Sequence, residues 1–173
     1  SYDFGFELFF NEMNSNFSVT YFDQDINDQI NFSFGVGGYE NIDRVNSKGF
    51  EVALNYQISK PMSLYFNYSY IDSVDGNGSP LFYVAKDSGE AGLIYEINKS
   101  YSGSIIARYN GYETSSYGKI DSWFRFDING SYRLSDTYEL YLRVENLLDK
   151  EYQQVFGYGT PERSGFIGLR TKF

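Results

Sequence analysis

Cysteine and histidine are both missing from the 173 residues of this chain. Without thiols there is no disulfide framework and no thiolate chemistry. Without imidazole the commonest general base and metal ligand is gone. A Ser/His/Asp or Cys/His arrangement therefore cannot be assembled, and the chain is not expected to be an enzyme. Proline is scarce at 3 and tryptophan occurs once. Positive charge is the minority sign, 14 basic residues against 23 acidic for a net charge of −9. A phosphate-binding surface needs a basic stripe, so nucleic acid is excluded as a partner. No run approaches the roughly 18 apolar residues of a transmembrane helix. Residues 1–30 also lack the basic stretch followed by an apolar one that marks a signal peptide. Neither absence speaks against crossing a membrane with strands, because alternating segments leave the mean hydropathy near or below neutral; here it is −0.44.

What the chain does have is aromatic residues and glycine: 18 Tyr, 16 Phe and 17 Gly. With so little proline this composition favours strands over helices. Period-two alternation recurs along the sequence. Tyr138, Leu140, Leu142 and Val144 fall on one face of 138–145, with Glu139, Tyr141, Arg143 and Glu145 on the other. Phe50, Val52, Leu54, Tyr56 and Ile58 likewise oppose Glu51, Ala53, Asn55 and Gln57. Phe124, Phe126, Ile128, Tyr132 and Leu134 oppose Arg125, Asp127, Asn129, Ser131 and Arg133; Ile167, Leu169, Thr171 and Phe173 oppose Phe166, Gly168, Arg170 and Lys172.

The pattern predicts about nine strands, near 2–12, 16–34, 39–59, 62–73, 82–97, 101–113, 121–135, 137–149 and 163–173, and no helix. Several are far longer than the five or six residues of a globular strand and reach the roughly 9–11 that a tilted membrane strand needs. Short turn signals at Asn14-Ser15, Ser59-Lys60-Pro61, Asn98-Lys99-Ser100 and Ser135-Asp136 alternate with longer connections around 35–40, 73–81, 113–120 and 149–162. Short turns at one end and long loops at the other is the build of an outer-membrane β-barrel, with the short turns on the periplasmic side. The first strand then runs inward from the cell surface, and the C-terminus emerges at the periplasmic rim. In hydrocarbon every backbone polar group must be paired, so a sheet survives only when closed. The apolar face is expected to meet lipid, the face carrying Glu51, Arg108, Arg125, Asp127, Arg143 and Glu145 to line the lumen, and the strand-end tyrosines to form aromatic girdles.

No other chemistry stands out. Asp25 with Asp28, and Glu139 with Glu145, are carboxylate pairs in turn-like or lumen-facing positions rather than acid–base pairs. The stretch Asp72-Ser73-Val74-Asp75-Gly76-Asn77-Gly78-Ser79 is faintly like a calcium loop but lacks the closing bidentate Glu. Gly35-Val36-Gly37-Gly38 is followed by neither helix nor Lys and is no phosphate cradle. No metal ligand set and no cofactor is expected.

Several phrases resemble the end of a TonB-dependent outer-membrane receptor. The run Tyr138-Glu139-Leu140-Tyr141-Leu142-Arg143-Val144-Glu145-Asn146-Leu147-Leu148-Asp149-Lys150-Glu151-Tyr152 resembles that family's penultimate strand, which ends in an NLxDKxY phrase. Gly157-Tyr158-Gly159-Thr160-Pro161-Glu162-Arg163 resembles the GYxxPGR phrase that leads into the last strand, with Glu162 where Gly is usual. Tyr21-Phe22 with Asp25-Ile26-Asn27-Asp28-Gln29-Ile30, and Tyr39-Glu40-Asn41-Ile42 followed by Ser47-Lys48-Gly49-Phe50-Glu51, resemble two upstream strands of the family. The phrases span nearly the whole chain in the family's order and are nearest in flavour to the vitamin B12 and siderophore receptors. The motif positions are thus Gly49, Glu51, Asn146, Leu147, Asp149, Tyr152 and Arg163, with Phe173 as the terminal aromatic read by the barrel-assembly machinery. On physical grounds alone, Gly49 would ease a bulge, and Asn146 and Asp149 would hold a strand-end turn through their own side chains.

The resemblance implies an all-β, antiparallel transmembrane barrel of 22 strands, of which residues 1–173 would be about nine C-terminal strands. The plug domain, the TonB box that precedes it and the upstream strands would lie outside this chain. It implies a bacterial outer-membrane receptor that imports a metal chelate, siderophore-iron or cobalamin, with energy supplied by the TonB complex through the absent N-terminal region. Ligand would be held by extracellular loops, where Tyr39, Phe82, Tyr112, Tyr117, Phe156 and Tyr158 are the candidate contacts. The expected partners are outer-membrane lipid, the assembly machinery through the C-terminal strand, and upstream strands or a second chain to close the barrel. A structural or adhesive barrel that transports nothing is the alternative, and a soluble β-sandwich a third reading that leaves the long strands unexplained.

Overall fold

The computed structural model describes every residue except Met13, Phe34, Asn98, Lys99 and Phe173, together with the side chains of all but Asn31, Ile42 and Asp43 among the rest. Phe173, expected as the assembly signal, and Asn98 and Lys99 of the third short turn therefore lie outside the described residues. Eleven strands follow one another: β1 Tyr2–Phe10, β2 Ser15–Ser33, β3 Gly38–Ser59, β4 Met62–Asp75, β5 Asp87–Ile97, β6 Tyr101–Asn110, β7 Glu113–Ser115, β8 Gly118–Ile120, β9 Trp123–Arg133, β10 Tyr138–Glu145 and β11 Ser164–Thr171. No helix occurs among the described residues.

Nine of these form a single sheet in the order β1-β2-β3-β4-β5-β6-β9-β10-β11, and β7-β8 is a separate hairpin. Every pairing is antiparallel between neighbours. The nine long strands of the sequence reading are all present. Three expectations change at the loop end. Residues 82–86 are not strand, because the Tyr83 N–H donates to the Thr114 carbonyl at 2.8 Å and draws that segment toward another loop. The connection at 113–120 is not plain loop but holds the β7-β8 hairpin. The β2-β3 connection is shorter than 35–40, since pairing continues up to Ser33↔Gly38.

The registers settle which side chains share a face. Phe4 pairs with Tyr21, Phe6 with Val19 and Leu8 with Phe17; Phe17 pairs with Leu54 and Val19 with Val52. The same apolar face continues through Leu64, Leu93, Ile105, Ile128, Leu142 and Ile167. None of this is buried: Val45 and Ile120 are the buried hydrophobic residues among those described, whereas Phe4 is 75% and Ile167 80% exposed. A soluble sandwich would bury this face, so the apolar sheet surface is the one that meets lipid, at about 1.5–3 kcal/mol for each large side chain removed from water.

Aromatics collect at both ends of that face. At the turn end Phe10 stacks on Tyr56 with ring centroids 6.0 Å apart, and Tyr101 on Tyr132 at 4.5 Å. At the loop end Tyr2 lies 6.4 Å from Tyr21, Phe50 5.6 Å from Tyr70, and Phe124 4.8 Å from Phe126. Tyr101 and Tyr109 stand at the two ends of β6. At roughly 3.3 Å per residue they are about 26 Å apart along the strand, or about 20 Å along the membrane normal after a tilt near 40°. That separation suits two girdles flanking an apolar band about 25 Å tall.

Gly49 does not sit at a bulge. The β2-β3 and β3-β4 registers run through it unbroken, and the irregularity of β3 lies at Gln57/Ser59. Its reason is close approach instead: a Cβ here would overlap the Tyr70 carbonyl oxygen and come within 2.9 Å of the Phe22 ring. The backbone oxygen cannot retreat without breaking the ladder. Gly49→Ala is therefore expected to destabilise the barrel by about 1–3 kcal/mol. Gly165→Ala, where a Cβ meets nothing within 4 Å, should be close to neutral. Denaturant unfolding of both variants in lipid vesicles checks this, and equal midpoints would refute it.

Candidate functional site at the loop end of the barrel

On the lumenal face the charged side chains of β5, β6 and β9 fall opposite one another, Glu90↔Arg108↔Arg125 with Ile106↔Asp127 one step below. They link into a continuous network. Tyr65 Oη donates to Glu90 Oε1 at 2.5 Å; Arg108 Nε reaches Glu90 Oε2 at 2.6 Å. Arg108 Nη1 also pairs with Asp127, and Arg125 Nη2 donates to Asp127 Oδ2 at 2.9 Å. The Tyr65 ring can lie flat along the wall because Gly92, its cross-strand partner, offers no side chain.

The network continues into the connection that follows β10. Arg125 Nη1 donates to Tyr152 Oη at 2.7 Å, and the Tyr152 ring lies 4.7 Å from that of Trp123. The Asn146 N–H donates to Asp127 Oδ1 at 2.9 Å. Asn146 is 2% exposed and ties the loop's two ends together: Nδ2 donates to the Lys150 carbonyl at 2.9 Å and the Pro161 carbonyl at 3.4 Å, and Oδ1 accepts the Lys150 N–H at 2.8 Å. Asp149 Oδ1 accepts the Arg163 N–H at 2.8 Å, and Arg163 Nη1 reaches back to the Leu147 carbonyl at 3.4 Å. The Leu147 N–H is taken by the Phe126 carbonyl at 2.8 Å. Asn146, Leu147, Asp149, Tyr152 and Arg163 thus meet in one knot, while Gly49 and Glu51 sit on β3, across the lumenal face from it.

The six aromatic candidates are placed less uniformly. Tyr117, at the tip of the β7-β8 hairpin, stacks on Phe156 at 6.2 Å, and Lys119 Nζ lies 4.6 Å over the Tyr112 ring. Phe82 and Tyr158 are exposed on separate loops. Tyr39 is on β3 rather than in a loop, edge-on to Phe32 at 5.4 Å. The residues 72–79 hold their own turn, Asp75 Oδ1 accepting the Asn77 and Ser79 N–H groups at 2.9 and 2.8 Å. Asp72 pairs with Lys86 at 2.8 Å, and this hydrogen bond and the Asp72 charge hold the Lys86 pKa above the ordinary lysine value. Asp25 pairs with Arg44, and the Glu139/Glu145 pair is divided between Arg170 and Arg143.

Charge is unevenly distributed along the barrel axis. Residues 23–48, 72–87, 111–122 and 145–163, which make up the loop end, hold fourteen acidic and six basic residues, so eight of the nine net negative charges lie there. Sequence reasoning missed Tyr65, Glu90 and Trp123 as parts of the network. What joins them to the network is their position beside its charges on neighbouring strands, which becomes readable only once register is known.

Antiparallel strands with lipid-facing girdles, a polar wall inside and a built-up outer end define an outer-membrane β-barrel. The family described as TonB dependent receptor-like, beta-barrel matches residues 1–147, and the chain belongs to that family of bacterial outer-membrane receptors, which are not enzymes. The vitamin B12 transporter BtuB of Vibrio cholerae is 25% identical over 168 residues, covering 90% of this chain and 27% of the transporter. That of Photobacterium profundum is 27% identical over 139 residues, covering 77% of this chain and 22% of the transporter. The chain spans about a quarter of the length of these relatives. Among solved structures, the ferric-catecholate import receptor Fiu of E. coli K12 superposes with a TM-score of 0.80 at 18% identity, over 99% of this chain and 27% of that one. The copper transporter OprC does so with a TM-score of 0.81 at 19% identity, over 99% and 30%. At such identities the likeness is one of fold.

Proposed function

We propose that the chain is the C-terminal part of the barrel domain of an active-transport receptor that imports a metal chelate, siderophore-iron or cobalamin, with TonB-supplied energy. The observation that carries this reading is the ordered loop end standing over a charge-networked lumen wall, in a family whose matched relatives are transporters. Upstream strands close the barrel, a plug fills it, the TonB complex acts through the N-terminal region, and the assembly machinery engages the last strand. Ligand rests on the exposed aromatics, with Tyr117 and Phe156 as one platform and Tyr158 beside it on the same loop as Phe156.

The negative charge of the outer end bears on which chelate is taken. At low salt, where the Debye length is about 30 Å, an anionic chelate is repelled from this surface as it approaches. Neutral or cationic chelates are favoured. The test is uptake and binding by the full-length receptor in outer membranes and in micelles, using cyanocobalamin, a neutral ferric hydroxamate and an anionic ferric tris-catecholate. The reading expects TonB-dependent uptake of one of the first two. It also expects Tyr117→Ala with Phe156→Ala to weaken binding roughly tenfold, in line with the loss of a stacked aromatic pair. Any catecholate binding should tighten as salt is raised. No TonB-dependent uptake of any chelate would favour a structural barrel.

A further inference from the structure

Beyond Glu145↔Ser164 the ladder between β10 and β11 ends, and the backbone of residues 146–163 is held to the sheet at its start, where the Leu147 N–H donates to the Phe126 carbonyl on β9. The loop's side-chain ties to the lumen wall, at Asn146 and at Tyr152, converge on one carboxylate. Asp127 is 5% exposed and divides its two oxygens. Oδ1 accepts the Asn146 N–H at the base of the loop, while Oδ2 takes Arg125, whose other nitrogen grips Tyr152 six residues further on. The third arm, Arg108, leads to Glu90 and Tyr65, so the carboxylate is itself oriented from β5 and β4.

The base needs such a fastening. Asn146 has φ +52° and Asp149 φ +57°, a left-handed backbone that non-glycine residues adopt only when their surroundings hold them. Asn146 is held at its N–H by Asp127 and at its side chain by the two ends of the loop. We propose that Asp127 is the positioning residue for the whole 146–163 loop, acting at the base through Asn146 and along the loop through Arg125 and Tyr152. The lumen wall thereby sets where Phe156 and Tyr158 stand at the outer surface. This goes beyond the transport reading and touches it only in that these aromatics are its ligand platform.

The test uses the intact receptor in micelles without ligand. Amide exchange is read at residue resolution by fragmentation mass spectrometry. In parallel, a nitroxide is attached through Val155→Cys on the loop or Val36→Cys on the β2-β3 turn, with any upstream cysteine replaced by serine. Asp127→Ala is expected to speed exchange at Asn146, Lys150 and Arg163 roughly tenfold or more, and to loosen the label at 155 but not at 36. Asp127→Asn keeps an acceptor oxygen for the Asn146 N–H but only a weak hold on Arg125. It should restore protection at Asn146 and still leave the label at 155 more mobile. Unchanged exchange over 146–163 in Asp127→Ala, or Asp127→Asn behaving like alanine at Asn146, overturns the proposal. If Asp127→Ala fails to assemble, Tyr152→Phe decides, since it leaves Asp127 and Asn146 untouched. A looser label at 155 with Asn146 still protected supports the proposal, and an unmoved label overturns it. Because no ligand enters the measurement, a failure of the transport reading would leave these results standing, and the reverse holds too.

Discussion

Ile105→Arg is expected to destabilise the folded barrel by about 2–4 kcal/mol, the depth-dependent cost of an arginine on the lipid face near the bilayer midplane. Ile105 lies midway along β6 between Leu93 and Ile128, on the apolar face, and the residue is 49% exposed. Its chain neighbour Ser104 points to the opposite face, between Ile94 and Asn129. Ser104→Lys loses the hydrogen bond from Asn129 Nδ2, 3.2 Å long, but places its charge in the polar lumen, and should cost less than about 1 kcal/mol. The pair isolates the face assignment, because the two sites share a strand, a depth and a local register. Urea titration of both variants folded into vesicles gives the two numbers. Equal destabilisation would mean that the faces are assigned wrongly, and a larger effect at Ser104 would invert lumen and lipid.

That face assignment was already legible in the sequence, because it rests on parity alone. Leu140, Leu142 and Val144 alternate with Glu139, Arg143 and Glu145 whichever strand lies next to them, and the pairing with β9 and β11 leaves the two sets apart. The nine long strands emerged for the same reason. The β7-β8 hairpin did not, since three-residue strands are too short to show a period. Nor did the retreat of β5 to Asp87, which depends on a hydrogen bond from Tyr83 to a loop thirty residues away. The lumenal network lies a level deeper. Glu90, Arg108 and Asp127 are unremarkable charges until register sets them side by side, and a one-residue slip would turn them to lipid. The NLxDKxY phrase marked Asn146 and Asp149 as turn formers. It gave no sign that the Asn146 N–H would find a carboxylate on β9, because that contact joins residues 19 apart across an edge of the loop.

The largest effect is expected when residues 1–173 are asked to fold alone. Among the described residues β1 pairs only with β2 and β11 only with β10, so the nine residues of β1 and the eight of β11 each present one unpaired edge. In hydrocarbon each unsatisfied N–H or C=O costs several kcal/mol. Even a handful of such groups exceeds the 5–15 kcal/mol by which ordinary domains are stable. The β1 edge is also apolar on its lipid side, with Tyr2, Phe4, Phe6 and Leu8 each more than half exposed, which makes it a template for pairing with another strand. Refolded by itself into vesicles, the chain is therefore expected to yield aggregated or surface-bound material. No protease-resistant monomer that migrates faster before boiling than after should form. Supplying the strands proposed to lie upstream, as a separate polypeptide, should restore that monomer, because the added strands satisfy both edges at once. A purified 173-residue species that closes as a monomer would show that β1 and β11 can meet. It would also remove the need for any upstream strand.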